Sequence, residues 1–290
     1  MYGLLTGDAA LAREGIGDVT YYLAERVDGS RREPVADAIT TVACWGDTET
    51  VRERPDRAAV SADGTRATPD AEGHHWGTVC PTDPDYQRRL LARIDRYGEA
   101  GPVRLTTAGF PGSEFCRCDR CEQLCAESGG AADRDAWRTG VITEFVAAAA
   151  ERTDGQLIAT LYPDPYPGNL RTRAGLDPQA LAPHVDGFLV TLCGNYETPY
   201  WVESLARGFA GAVGGLDATL TIQLSADGTD VDRLVDVTRM VEPHCDAVVY
   251  GTMPADAERV REVIRRRRGA DDVADRGPTG EPGVVSSRGD

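Results

Sequence analysis

Short apolar segments rich in β-branched or aromatic residues recur along this chain, separated by longer stretches of mixed polarity. Apolar runs of about four to eight residues with this composition predict buried β-strands. We expect eight strands, at residues 3–6, 18–23, 40–44, 103–107, 157–162, 187–192, 219–224 and 247–251.

The stretches between these segments have the pattern of amphipathic helices. Apolar side chains recur at helical spacing in residues 83–94 and again in residues 134–153. Asp177 and Pro178 supply the N-cap and the first-position proline that begin a helix. We expect three more helices, at residues 200–213, 231–241 and 254–268.

Strands that alternate with helices form a parallel sheet covered by helices. Eight such units favour an α/β fold of the closed (β/α)8 (TIM) barrel type over an open doubly wound sheet. Residues 1–268 are predicted to form this single domain. Two long insertions follow strands three and four, at residues 45–79 and 110–133, the first with a hairpin near residue 63. Residues 269–290 are almost without apolar side chains, which predicts a disordered tail.

A group of cysteines falls in the second insertion. Cys116, Cys118 and Cys121 stand close together, and Cys80 stands alone before them. Three thiols this close cannot all pair with one another as disulfides, whereas a tetrahedral Zn²⁺ accepts them together with one distant thiolate. We therefore predict a structural zinc with four cysteine ligands, and an iron–sulfur cluster is the alternative. Cys125 is not needed once four thiolates are present.

The charge of the chain is strongly acidic. It has 47 Asp and Glu residues against 31 cationic residues, a net charge of −16, and every cation is an arginine. An acidic surface without lysine is typical of adaptation to a cytoplasm of high salt, where screening removes the self-repulsion. We therefore expect a halophilic protein without a nucleic-acid partner. The basic cluster at residues 265–268 is interpreted as the carbonyl end of a helix.

The sequence predicts a cytoplasmic protein without a membrane partner. No stretch has the roughly 20 consecutive apolar residues that span a bilayer, and Met1 leads into a short apolar strand with no charged segment before it. Cytosolic disulfides are rare, so the cysteines are predicted to be metal ligands or buried thiols. Cys44, Cys193 and Cys245 lie in or beside apolar runs and are interpreted as core residues.

Candidate site residues follow the strands, because function in a (β/α)8 barrel gathers at the C-terminal ends of the strands. Aromatic rings beside carboxylates are typical of sugar sites: a ring stacks on the apolar face of a sugar, and a carboxylate accepts hydrogen bonds or transfers protons. Asp164 and Glu197 are the predicted catalytic residues. The predicted substrate-binding residues are Trp45, Asp47, Tyr162, Tyr166, Asn195, Tyr196 and Asp227.

Several of these residues also fit a structural interpretation. Asp164 and Asp227 stand in Asp-Pro and Asp-Gly, which are turn dipeptides, so a loop role is the alternative for each. Glu197 follows Asn-Tyr, which is not a turn-forming pair, and this favours a site role. His74 and His75 in the first insertion are interpreted as solvated loop residues, with general-acid or substrate contact as the alternative.

The chain resembles a known family in its middle part. The order Cys-Pro-x-x-Pro-x-Tyr, a helix, an apolar strand, Cys-x-Cys-x-x-Cys and a tryptophan-bearing helix resembles the catalytic barrel of family 42 β-galactosidases and related glycoside hydrolases. The resemblance covers about residues 76–145. A zinc ion bound by four cysteines staples the loop after the fourth strand in that family. This implies the ligands Cys80, Cys116, Cys118 and Cys121 here.

The resemblance fails at the catalytic positions. In the family an Asn-Glu pair at the end of the fourth strand provides the acid/base, and Thr106 and Thr107 stand there in this chain. The family's nucleophilic glutamate ends the seventh strand, where this chain has Gln223. A retaining glycosidase needs two carboxyl groups about 5 Å apart. The resemblance therefore implies that the family's own mechanism is absent.

These observations predict a glycoside hydrolase-like barrel that binds a carbohydrate or polyol at its strand C-termini. Hydrolysis would require atypically placed acids. The alternative is a catalytically silent barrel that binds a ligand or a partner and retains the structural zinc. A thiolate-zinc alkyl-transfer enzyme is disfavoured, because it needs an open metal coordination position and four cysteines close the site.

Overall fold

A computed structural model describes residues 1–130, 132–164, 166, 168–194 and 196–275. Eight parallel strands pair in chain order, and the last also pairs with the first, which closes the barrel. The predicted (β/α)8 barrel is therefore confirmed. The strands are β1 (Tyr2–Thr6), β2 (Val19–Leu23), β3 (Ile39–Ala43), β4 (Val103–Thr106), β5 (Leu157–Leu161), β6 (Gly187–Thr191), β7 (Thr219–Ser225) and β8 (Ala247–Gly251).

Alternation along each strand divides the side chains between the barrel interior and the surrounding helices. Outward-facing side chains such as Leu4 and Val42 join the larger core beneath the helices. The interior is filled by side chains, so the barrel is a packed core and not a pore. Its apolar cluster consists of Leu5, Tyr21, Ile39, Ile158, Leu189 and Val249.

The helices lie where their apolar stripes predict them, and the helix after Asp177 begins at the expected cap. Asp83 accepts a hydrogen bond from the backbone amide of Tyr86, and Asp177 accepts one from the amide of Gln179. The helices are α1 (Ala9–Arg13), α2 (Thr48–Glu53), α3 (Pro84–Gly98), α4 (Asp119–Glu127), α5 (Arg134–Ala150), α6 (Asn169–Ala174), α7 (Pro178–Leu181), α8 (Pro199–Val213), α9 (Val231–Val241) and α10 (Ala257–Asp275).

The connection from β2 to β3 is the exception to the alternation of strands and helices. Residues 24–38 contain no helix. Val35 and Ala38 from this connection instead pack against Tyr22 and Ala12 in a small separate cluster. A short irregular segment therefore covers this side of the barrel.

The two predicted insertions lie together on the C-terminal side of the barrel. In the first, the backbone amide of Ser61 donates to the carbonyl of Thr65 at 2.9 Å, and Gly64 has a φ of 86°. This confirms the predicted hairpin, whose positive φ favours glycine. Ser61 also forms an antiparallel bridge with Phe115 of the second insertion, which joins the two segments.

The basic cluster at residues 265–268 lies within α10 and not at a helix end, which corrects its interpretation as a helix terminus. Its arginines form ion pairs instead. Arg266 reaches Asp232 at 2.6 Å, and Arg268 reaches Asp18 at 2.5 Å. These contacts connect α10 to α9 and to the segment just before β2.

The last helix includes residues 269–275, the first part of the predicted tail. Residues 276–290 lie outside the described residues, so disorder of the tail stays a prediction. Among the described helices, none combines the length and apolar character that crossing a membrane requires.

Candidate functional site

Four cysteine side chains from two parts of the chain converge on one point. The Sγ atoms of Cys80, Cys116, Cys118 and Cys121 all lie within 4.8 Å of one another. Sγ of Cys80 is 3.5 Å from that of Cys121 and 3.7 Å from that of Cys118. All four are free thiols. The fold therefore assembles the cysteine cluster expected from the sequence, after strand four.

Local structure positions these thiols. Cys80 stands just before α3, and Cys121 lies in the first turn of α4. The backbone amide of Val60 donates to Sγ of Cys116 at 3.3 Å. The hydroxyl of Thr82 lies 3.2 Å from Sγ of both Cys80 and Cys121. Hydrogen bonds of this kind orient metal ligands and favour their charged form.

The spacing of the sulfur atoms suits one metal ion. A tetrahedral ion with metal–sulfur bonds of about 2.3 Å holds its ligand atoms about 3.8 Å apart, close to the separations around Cys80. An iron–sulfur cluster distributes four cysteines over two or four iron atoms and therefore needs a wider spacing between the most distant sulfur atoms. Cys125 is buried but is not a member of the group. The four cysteines are thus able to hold one structural metal ion.

A cleft of about 580 Å³ opens at the C-terminal ends of β5 and β6. Glu197 lines this cleft and is exposed to solvent. Trp201 lines it from the first turn of α8, with 52% of its surface exposed. Cys193, interpreted from the sequence as a core residue, is exposed here as well, because the strand has ended two residues earlier. A carboxylate, an indole and a thiol therefore share one cavity.

Tyr196 organises the loop that carries Glu197. It is buried, and its hydroxyl donates to the carbonyl of Leu192 at 3.0 Å. The same oxygen accepts the backbone amide of Ser225 at the end of β7. Burial raises the pKa of this phenol above its ordinary value. Tyr196 also has a φ of 48°, a conformation that is rare for residues other than glycine and that clusters at functional sites.

Asp164, the other predicted catalytic residue, follows the neighbouring strand β5. Its carboxylate is nearly buried and accepts the backbone amide of Tyr166 at 2.8 Å. Arg173 lies 3.6 Å from the other carboxylate oxygen. The contact with Tyr166 is the turn role that the sequence allowed for Asp164. Together the two contacts also fix the orientation of its carboxylate. Tyr166 itself is exposed on the same face of the barrel.

A smaller cavity of about 190 Å³ lies at the ends of β4 and β5. Thr107 lines it with a φ of 51°, which is strained for a β-branched residue, and its hydroxyl accepts the backbone amide of Gly46 at 3.2 Å. The two loop histidines, His74 and His75, line this cavity. Trp76, Tyr162 and Arg173 line it as well.

Two predicted substrate-binding residues lie in the protein interior. Trp45 is fully buried, and its ring packs 4.6 Å from that of Phe145, measured between centroids. Asp47 is only 2% exposed and caps α2 by accepting the backbone amide of Thr50. Arg31 forms an ion pair of 2.6 Å with the same carboxylate. These contacts hold the first insertion on the barrel.

The remaining predicted residues occupy the strand ends. Asp227 is exposed in a turn in which Gly228 has a φ of 66°. Asn195 lies outside the described residues. Gln223 is buried at the end of β7, where its amide oxygen accepts from the hydroxyl of Thr191 at 3.2 Å and its amide nitrogen donates to Cys193. An amide, and not a carboxylate, therefore occupies this position near the end of β7.

Sequence reasoning missed Trp201 as a site residue. The signal was available in the helix pattern: the buried stripe of α8 contains Val202, Leu205 and Phe209, and Trp201 falls outside it. A large apolar side chain away from the buried stripe of a helix has to lie in solvent or in a site. Tyr200 beside it is also exposed but does not line the cleft.

Another cavity, of about 690 Å³, lies at the opposite end of the barrel. Val185 and Asp186, just before β6, and Asp217, just before β7, contribute to its lining. Active sites in (β/α)8 barrels lie at the C-terminal ends of the strands, whereas the N-terminal end of the barrel contributes to stability. The cleft beside Glu197 is therefore the better candidate for ligand binding.

Comparison with known proteins identifies the fold class. No protein-family model matches the sequence, and no curated protein matches it. The glycoside hydrolase domain of PgaB (BpsB) from Bordetella bronchiseptica is similar in structure, with a TM-score of 0.58 at 13% identity over 85% of this chain and 76% of that one. Alpha-L-fucosidase isoenzyme 2 from Paenibacillus thiaminolyticus aligns with a TM-score of 0.62 at 10% identity over 94% of this chain.

This chain spans 44% of the fucosidase chain. The glycoside hydrolase domain of PelA from Pseudomonas aeruginosa aligns with a TM-score of 0.50 at 10% identity, over 88% of this chain and 95% of that domain. Sequence identities this low establish the fold alone. The protein is therefore a TIM barrel of the kind found in glycoside hydrolase domains.

Proposed function

We propose that this protein binds a carbohydrate or a related polyol in the cleft at the ends of β5 and β6. The observation that carries the proposal is the presence of the exposed carboxylate of Glu197 and the half-exposed indole of Trp201 in one cavity. An indole face stacks on the apolar face of a sugar ring, and a carboxylate accepts hydrogen bonds from sugar hydroxyls. The likeness in fold to glycoside hydrolase domains supports the same ligand class.

Hydrolysis of that ligand is the catalytic form of the proposal, with Asp164 and Glu197 as the two carboxyl groups. β5 and β6 are hydrogen-bonded neighbours, and Asp164 and Glu197 stand in the loops that follow them. Glycosidases need one carboxyl group to protonate the departing oxygen and a second to attack the sugar or to activate water. Adjacent strand ends are compatible with such a pair.

The proposal extends to other residues that follow β5, β6 and β7 in the sequence. Tyr162, Tyr166, Asn195, Tyr196 and Asp227 are proposed, from their places after these strands, to contact a bound ligand or to order its loops. Trp45 and Asp47 are buried, so their proposed role is to support the loops around the site and not to contact the ligand. The metal that we propose for the four cysteines is Zn²⁺, which contributes to folding stability when bound. A reducing cytoplasm would keep these thiols available to the metal.

Sugar binding can be tested with two matched tryptophan and tyrosine variants. Native protein, Trp201→Ala and Tyr200→Ala are titrated with a panel of hexose and hexosamine disaccharides by isothermal calorimetry. Tyr200 is exposed beside the cleft without lining it, so its variant is the control. Loss of one stacking contact should weaken binding about three- to tenfold for Trp201→Ala. Failure of every disaccharide to bind native protein would refute the proposal.

Release of reducing sugar then separates the hydrolase from a silent barrel. A hydrolase should lose at least about a hundredfold of its rate in Glu197→Gln and in Asp164→Asn, because each substitution removes a group that transfers protons or attacks the sugar. Sugar binding without turnover would establish the catalytically silent barrel. Turnover that survives in both variants would place the acids elsewhere.

A further inference from the structure

The side chain of Arg104 lies inside the barrel. It projects from β4 into the interior beside the ring of Tyr21, with its guanidinium carbon 5.9 Å from the ring centroid. Its Nε donates to the hydroxyl of Thr160 at 2.9 Å. Only 4% of the residue is exposed to solvent. A charged group is thus enclosed among the side chains that fill the barrel.

No carboxylate among the described residues compensates this charge. Arg138 and Arg267 are similarly buried, and each forms an ion pair, with Asp135 and Glu242 respectively. Arg104 has no such partner in the part of the chain that the structure describes. The removal of a cation from water is unfavourable unless an opposite charge compensates it.

The groups that interact electrostatically with Arg104 are neutral near pH 7. They are the phenol of Tyr21, whose pKa is raised by burial, and the thiol of Cys193, whose pKa is raised because the walls of the cleft partly remove it from water. Burial also lowers the pKa of Arg104, to about 10, so that the guanidinium still carries its proton in neutral solution. The interior therefore contains a net positive charge.

Two unsatisfied polar atoms lie on neighbouring strands at this position. Nη1 of Arg104 is buried without a hydrogen-bond partner, and so is Oγ1 of Thr41. The register of β3 and β4 pairs Thr41 directly with Arg104, so both side chains project into the interior from adjacent backbones about 4.8 Å apart. Nη1 is a donor, and the threonine hydroxyl is able to donate.

We propose that a small monovalent anion, chloride in ordinary solution, binds inside the barrel between Arg104 and Thr41. The two donors supply its hydrogen bonds, and the guanidinium supplies the opposite charge. A water molecule would satisfy the same donors but would leave the charge uncompensated. The anion is a structural ligand and takes no part in the binding of sugar in the cleft.

Anion substitution at constant ionic strength tests this site. The melting temperature of native protein is measured while sodium chloride replaces sodium gluconate, whose anion is too large for the interior. Chloride should raise the melting temperature in a concentration-dependent manner, because a ligand that binds only the folded state stabilises it. The chloride-specific rise should disappear in Arg104→Met. In Thr41→Val, which keeps the charge, the chloride concentration for a given rise should increase roughly tenfold.

The matched control is Arg239→Met. Arg239 is exposed and paired with Asp236, so this variant loses a cation without touching the interior and should keep the chloride-specific rise. Because Arg104→Met can fail to fold, crystals of native protein grown in sodium bromide provide an independent test. An anomalous bromide peak within hydrogen-bond distance of Nη1 of Arg104 is expected. Its absence, or equal melting temperatures in chloride and gluconate, would overturn the proposal and assign the interior donors to water.

Discussion

The phenol oxygen of Tyr86 lies 3.0 Å from a carboxylate oxygen of Asp47. Tyr86 belongs to the first turn of α3, whereas Asp47 caps α2 in the insertion after β3. Both side chains are buried, and Arg31 approaches the same carboxylate from a third segment. A residue that the strand pattern marked as a substrate contact therefore joins three separate parts of the chain.

The Tyr86–Asp47 contact predicts a loss of stability in Tyr86→Phe. Burial, and secondly the nearby charge of Asp47, raise the pKa of Tyr86, so the phenol retains the proton that it shares with the carboxylate. Removal of the hydroxyl leaves a buried charged acceptor with one partner fewer, which should lower the free energy of unfolding by about 1–3 kcal/mol. Urea denaturation measures this change. Tyr200→Phe, at an exposed position, should be neutral, and equal losses in both variants would contradict the prediction.

We predict one zinc ion per chain at Cys80, Cys116, Cys118 and Cys121. Bound metal stabilises the folded state, because the ligands converge only when the chain is folded. Cys118→Ser should lower both the metal content, measured by mass spectrometry, and the melting temperature. Cys125→Ser is the control and should retain the metal. Stoichiometric iron with a visible absorption band would instead establish an iron–sulfur cluster.

Stability should fall in alkaline solution. Burial raises the pKa of Tyr196 and Tyr250, whereas the same phenols ionise near pH 10 in an unfolded chain. Above about pH 10 the unfolded state therefore binds fewer protons than the folded state, and the free energy of unfolding decreases as the pH rises. Below this pH the contribution of these groups is constant.

Urea denaturation between pH 8 and pH 11, a range chosen around the tyrosine pKa of about 10, measures this dependence. In Tyr250→Phe the free energy of unfolding should decrease less steeply with pH than in native protein. The difference in slope should be at most about 1.4 kcal/mol for each pH unit. The hydroxyl of Tyr250 contacts Thr238 at 2.8 Å, so the variant also starts from a lower stability. An unchanged slope would show that Tyr250 does not contribute.

The protein should not hydrolyse nitrophenyl galactosides by the mechanism of family 42 β-galactosidases. The sequence resemblance implies that Thr106, Thr107 and Gln223 stand where that mechanism needs carboxyl groups, and Gln223 is hydrogen-bonded to Thr191 in the barrel. General acid catalysis alone contributes about a hundred- to ten-thousand-fold, so turnover should be negligible. The assay is the release of nitrophenol in high salt. Robust activity would contradict this prediction, and its loss in Glu197→Gln would support the catalytic role proposed for Glu197.

The acidic surface predicts stabilisation by salt of any kind. With a net charge of −16 and no lysine, self-repulsion should weaken the folded state at low ionic strength. The melting temperature should therefore rise as potassium chloride or potassium gluconate increases toward molar concentration. A melting temperature independent of both salts would count against adaptation to salt. The chloride site at Arg104 predicts only the difference between the two salts.

Much of the architecture was predictable because it depends on local regularity. The eight strands lie within a residue or two of their predicted positions, since runs of apolar β-branched residues favour buried strands wherever they occur. The spacing of Cys116, Cys118 and Cys121 likewise indicated a common ligand before their contact with Cys80 was known. The cap at Asp177 was predictable from the proline that follows it.

Only the tertiary structure decided how individual polar and aromatic residues are used. Asp47 and Glu197 both follow strands in sequence, yet one is enclosed by partners from distant segments and the other lines an open cleft. Trp201 is exposed and Trp45 is buried, although both lie between a strand and the helix that covers it or within the first turn of that helix. The position of a strand follows from the local pattern of apolar and β-branched residues, which can be seen in the sequence. Burial and charge compensation, as at Arg104, depend on which remote side chains the closed barrel brings alongside.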